Sequence, residues 1–160
     1  MDRREFIKVN AKTLKKFGFK RWDNNFSLKL SNGVNVLVWI HRSFFENGYY
    51  VEFAFSFKPL DVYSFRIAQQ DYYKMDVRCG RMKFDFGRAN EIYYSEISAE
   101  DYSKAFEENL EKILKIAMEG KNAIVDEYIK IEPRSRAILK DKRVAVFLGV
   151  ENLSNVRYAK

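Results

Sequence analysis

The stretch FSLKLSNGVNVLVWI, residues 26–40, decides the fold. Its first part alternates apolar and polar residues, and its last part is apolar on both sides, so each reads as a β-strand. The loop between them sets which side chains share a face. A two-residue Asn32-Gly33 loop would place Phe26, Leu28 and Leu30 beside Leu37, Trp39 and His41. A three-residue Ser31-Asn32-Gly33 loop, with a left-handed glycine, places them beside Val34, Val36, Val38 and Ile40. The second register makes one continuous apolar face and is the one expected. Trp39 and His41, the chain's single histidine, then turn to the opposite face.

The same alternation continues outward. In YYVEFAFSF, residues 49–57, Val51, Phe53, Phe55 and Phe57 share one face, while Tyr50, Glu52, Ala54 and Ser56 share the other. Lys58-Pro59 ends that strand. VYSFRI, residues 62–67, fits a strand, a turn or a short helix equally. YKMDVRCGRM, residues 73–82, sets Met75, Val77 and Cys79 against Lys74, Asp76, Arg78 and Gly80.

Helical spacing bounds this β-rich section on both sides. Over residues 3–17, Phe6, Ile7, Leu14 and Phe17 mark an inner side and Gly18 a stop. SAED, residues 98–101, has the form of a capping box. Behind it Tyr102, Phe106, Leu110, Ile113 and Ala117 recur at spacings of three and four, up to Gly120. AIVDEYIKI, residues 123–131, is helical by spacing, and Pro133 is placed to open a last helix running to Gly149. The order gives an α+β fold: an N-terminal helix, an antiparallel sheet of four or five strands, and two or three C-terminal helices on one sheet face. The other face is expected to be at least partly wet.

A chain of 160 residues with 47% hydrophobic and 16% aromatic residues builds one core, and a single domain over 1–160 is expected. One cysteine, Cys79, excludes an internal disulfide and fits a cytoplasmic protein. No signal-like segment opens the chain, no run is long enough to cross a membrane, and no membrane partner is expected. A net charge of +7 is compatible with nucleic acid or an acidic protein as partner. The positive charge gathers in residues 1–22 and 130–143, whereas residues 99–119 are net acidic.

Motifs that carry chemistry are scarce. Trp39, His41, Glu52, Asp76 and Arg78 form a candidate ligand-binding cluster on the outer sheet face, since a histidine beside a carboxylate can move protons and an arginine can hold an anion. The competing reading is an ordinary solvated sheet face. DFG, residues 85–87, lacks every other kinase element and is a coincidence. No metal site, cofactor motif or catalytic residue is indicated, and Cys79 reads as core. Lys8, Lys12, Lys15 and Lys16 are candidates for phosphate contact, with Trp39 and Tyr50 as stacking surfaces. The expected role is a non-enzymatic binding protein for another protein; a nucleic-acid binder using the basic helix and outer sheet face comes second, and an enzyme third.

The helix EFIKVNAKTLKKFGFKR, the run VWIHRS, then NGYYVEFAFSF and DVRCGRM together resemble a bacterial family catalogued as domain of unknown function 4304. The resemblance spans most of the chain and is strongest over residues 1–60. In that family the positions of Trp39 and His41 are usually amides, whereas Arg42 and Ser43 keep its pattern. The resemblance therefore implies that His41 carries no family-wide reaction. It implies a fold and no cofactor, and domains of this style often accompany bacterial toxin systems, which suggests an immunity-like role.

Overall fold

Gly33 takes a left-handed φ of 83° in the computed structural model, which describes residues 1–44, 47–60, 71–86, 91–130 and 137–160. The three-residue loop is therefore the one formed. The Leu30 N–H donates to the Val34 carbonyl at 2.8 Å, and the Asn32 amide donates to the Ala117 carbonyl at 2.8 Å. That second bond satisfies a carbonyl in the last turn of a helix, where no intrahelical partner exists.

Strand β2 (Asn25–Lys29) pairs antiparallel with β3 (Val34–Arg42), Phe26 opposite Val38 and Leu28 opposite Val36. β3 pairs with β4 (Tyr49–Phe57), from Val34 opposite Phe57 to Arg42 opposite Tyr49. Among the described residues the sheet has seven strands, ordered along the chain: β1 (Lys20–Trp22) precedes β2, and β5 (Val77–Arg81), β6 (Ile138–Leu139) and β7 (Arg157–Tyr158) follow β4. All pairs are antiparallel except β6 with β7. The expectation of four or five strands is thus corrected upward. The additions are strands of two or three residues, too short to show alternation.

Helix α1 (Arg3–Lys16) is capped by the Asp2 carboxylate, which accepts from the Glu5 N–H at 2.8 Å, and Lys15 and Lys16 suit the negative end of its dipole. Phe6, Asn10, Thr13 and Leu14 face inward, but Ile7 stands 40% exposed, against expectation. α2 (Ala99–Glu119) begins at Ser98, whose hydroxyl accepts from the Asp101 N–H at 3.0 Å. Its Tyr102, Phe106, Leu110, Ile113 and Ala117 are all buried, as spacing predicts. At about 1.5–3 kcal/mol for each large apolar side chain, this stripe alone ties the helix to the sheet.

α3 (Lys121–Ile124) runs on into a π-turn at Val125–Ile129. The long last helix is corrected: Ile138 and Leu139 join the sheet instead, and α4 covers only Lys142–Leu148, between an Asp141 cap and a left-handed Gly149. The edge of β5 takes Ile138 and Leu139 as partners, which no helix could supply. Pro133, VYSFRI and Gly87 of DFG lie outside the described residues.

One core joins the inner face of the sheet (Phe26, Val36, Val38, Ile40, Phe53, Phe55, Phe57, Val77) to side chains from all four helices. A smaller cluster of Leu37, Ala54, Tyr72 and Met75 covers part of the outer face, with Trp39 against it. Met75 thus sits opposite Val77 and Cys79, because β5 starts only at Val77 and a 3-10 turn at Tyr72–Lys74 carries Met75 across. Among the described residues no helix is long and apolar enough to cross a membrane.

Candidate functional site

The outer-face residues singled out by sequence come together in part. Trp39 stacks on His41 with ring centroids 3.8 Å apart, Tyr72 stacks on Trp39 at 5.3 Å, and Tyr50 packs against His41 at 5.4 Å. Glu52 lies opposite Trp39, and its carboxylate is 3.5 Å from His41 Nε2. Arg78 reaches the group through Tyr73, whose ring its guanidinium covers at 5.3 Å. Asp76 does not belong. It is buried at the far end of the sheet, accepting from the Phe57 N–H at 2.9 Å, about 20 Å along β4 from Tyr50.

Sequence reasoning missed Arg81. Phe53 pairs with Gly80 and Ala54 with Arg78, which leaves Cys79 as the extra residue of a bulge. The bulge returns Arg81 to the outer face, 4.0 Å from Glu52 and 3.5 Å above the Tyr50 ring. Gly80 supplies the left-handed φ of 80°, and its N–H donates to the Tyr72 hydroxyl at 3.1 Å. The signal that would have found it is a glycine inside a strand pattern. Burial first, and Glu52 second, push the Tyr72 hydroxyl up from its ordinary value, so it stays protonated.

This outer face is a packed aromatic ladder. His41 is held between Trp39 and Tyr50, and Glu52 is shared between His41 and Arg81. Trp39 and Tyr50, expected as stacking surfaces for bases, spend their faces on protein neighbours, and Tyr50 is buried. That expectation is corrected. Cys79 is buried, which pushes its thiol well up and away from the thiolate a nucleophile needs. Among the described residues no group of histidine, cysteine and carboxylate side chains gathers to hold a metal ion.

A cleft opens elsewhere, at the end of the inner face. It has a volume of about 180 Å³ and lies between α1 (Arg3, Ile7, Asn10), the β1–β2 hairpin (Arg21, Asn24, Phe26), the end of β3 (Ile40, His41, Arg42) and Tyr49. Three arginines line it, and among the described residues no carboxylate does. Each is fixed by a neutral acceptor: Arg3 Nε donates to the Tyr49 hydroxyl at 3.0 Å, Arg21 Nε to the Asp23 carbonyl at 2.8 Å, and Arg42 to the Asn47 amide oxygen at 2.8 Å. A guanidinium has five N–H donors, so each keeps most of its capacity.

The helix lysines carry further positive charge on a different face of α1 from Arg3, Ile7 and Asn10. Lys8, Lys12 and Lys15 are exposed and, at about 100° per residue, fall within about 60° of arc on the solvent side of α1. Lys16 turns the other way and pairs with Glu107 of α2 at 2.7 Å. Glu5 is the single acid within α1. No family model, curated protein or solved structure matches the chain.

Proposed function

We propose that this chain is a cytoplasmic, non-enzymatic binding protein whose partner is a polyanion, with single-stranded nucleic acid the chemistry that fits best. The observation that carries the reading is the cleft of Arg3, Arg21 and Arg42, which no carboxylate among the described residues lines, together with the basic face of Arg4, Lys8, Lys12 and Lys15 elsewhere on α1. Guanidinium forks and lysine ammonium groups suit phosphate, the first by geometry and the second by charge. The outer sheet face has no part in this reading, since its aromatic faces are already occupied.

A protein partner of the immunity type, which the resemblance to family 4304 suggested, finds less support. The large exposed apolar side chains among the described residues (Ile7, Trp22, Phe44, Tyr73, Met118, Val146, Leu153 and Tyr158) are spread over six elements and two loops instead of gathering on one. The test is fluorescence anisotropy of a labelled single-stranded oligonucleotide at about 50 mM salt, repeated on duplex and on an acidic polypeptide. Binding that weakens steeply with salt and favours the single strand supports the reading. No binding to either nucleic acid overturns it, and preference for the acidic polypeptide replaces it with a protein partner.

A further inference from the structure

We propose that the Arg3–Arg21–Arg42 cleft is a phosphate-monoester site, which, resting on the nucleic-acid reading above, holds the phosphorylated end of a strand. The argument begins with size. At about 180 Å³ the cleft exceeds a single phosphate group and falls below the roughly 300–1,000 Å³ of pockets that enclose a whole small molecule. It therefore takes a terminal group and leaves the rest of the ligand outside.

Charge selects among terminal groups. Three arginines line the cleft, and among the described residues no lining carboxylate neutralises them. Asp2 and Asp23 adjoin Arg3 and Arg21 in sequence, yet neither lines it. Asp2 caps α1, and its carboxyl is held below its ordinary value chiefly by the Glu5 N–H. A phosphodiester or a carboxylate brings one negative charge, whereas a monoester brings about 1.5–2 at neutral pH and three acceptor oxygens. The monoester is the better complement.

Preorganisation points the same way. The neutral acceptors on Tyr49, Asp23 and Asn47 spend one donor from each arginine and hold the side chain in place. The entropic cost of ordering three long side chains is then partly met before the ligand arrives. The floor is apolar and fixed: Phe26, Ile40 and Tyr49 are buried.

The experiment compares one oligonucleotide carrying a 5′-phosphate, a 3′-phosphate or neither, with a nucleoside 5′-monophosphate and inorganic phosphate as separate ligands. A terminal phosphate is expected to tighten strand binding at least about tenfold, the size of a charged hydrogen-bond pair. Arg42→Gln and Arg21→Gln, both at exposed positions, are expected to abolish that preference, whereas Lys112→Gln on the far face of α2 keeps it. Equal affinity for all three strands overturns the monoester site while leaving the polyanion reading standing. Binding of the monophosphates alone, lost in Arg42→Gln, supports the site, makes its ligand a small phosphorylated molecule, and removes the strand. Binding of none of these ligands overturns both.

Discussion

Replacing Lys8, Lys12 and Lys15 together by Gln tests whether α1 carries a phosphate backbone. The three side chains span about 10 Å along the helix at about 1.5 Å per residue, and all point to solvent. No ion pair among the described residues engages them, so their charge is available to a ligand. Each phosphate neutralised on a single strand adds about 0.7 to the slope of log affinity against log salt. Three lysines therefore account for about 2 units of slope. Between about 50 and 200 mM salt, the unaltered protein should lose roughly twentyfold more affinity than the triple variant. Gln has nearly the helix propensity of Lys, so circular dichroism should show α1 intact. Lys16→Gln serves as the contrast, because Lys16 is already paired with Glu107 at 2.7 Å. Its slope should change far less than a third of the triple effect. Anisotropy titrations at four salt concentrations read all of this directly. If the triple variant keeps the full slope, the backbone does not lie on α1 and the reasoning fails.

Three further outcomes concern the fold that holds this surface. Tyr102→Phe removes the 2.7 Å hydrogen bond its hydroxyl donates to Asn10 Oδ1, leaving a buried acceptor between α1 and α2; a loss of about 1–3 kcal/mol is expected in denaturant unfolding. Gly80→Ala meets no atom within 4 Å of the new Cβ, so its cost is the left-handed backbone alone, about 1–2 kcal/mol, again by denaturant unfolding. Cys79 should resist a thiol reagent at pH 8 in the native protein and react at once in denaturant. Burial holds its pKa well above the ordinary value, so the folded protein keeps the proton at that pH. Rapid native labelling would contradict the burial of β5.

Much of the fold could be read from pattern, and the reason is that the readable elements are long. The α2 stripe from Tyr102 to Ala117 repeats over about four turns, and the Phe26–Ile40 hairpin offers two registers of which one keeps the apolar residues together. The misreadings fall where the pattern is short or broken. β6 and β7 hold two residues each and show no period. Asp141 ahead of Lys142-Arg143-Val144 was a legible cap that would have shortened the last helix. Gly80 hid a bulge that moves Arg81 by one face, and the 3-10 turn at Tyr72–Lys74 defeated the strict alternation that set Met75 with Val77 and Cys79.

The cleft was illegible for a different reason, and the same reason explains why it exists. Arg3, Arg21 and Arg42 are far apart in sequence, and the pattern shows only that two of them belong to a basic N-terminal stretch. What gathers them is register. Arg21 pairs with Phe26, Phe26 with Val38, and Arg42 follows Val38 and Ile40 at intervals of two, so all point to the side that α1 covers. A slip of one residue would turn Phe26 and Arg21 outward together. The apolar alternation that selects the three-residue Ser31-Asn32-Gly33 loop therefore also aims the arginines. Lengthening or shortening that loop by one residue should cost the core and the anion cleft at once, whereas a binding surface made of helix lysines alone would outlast the slip.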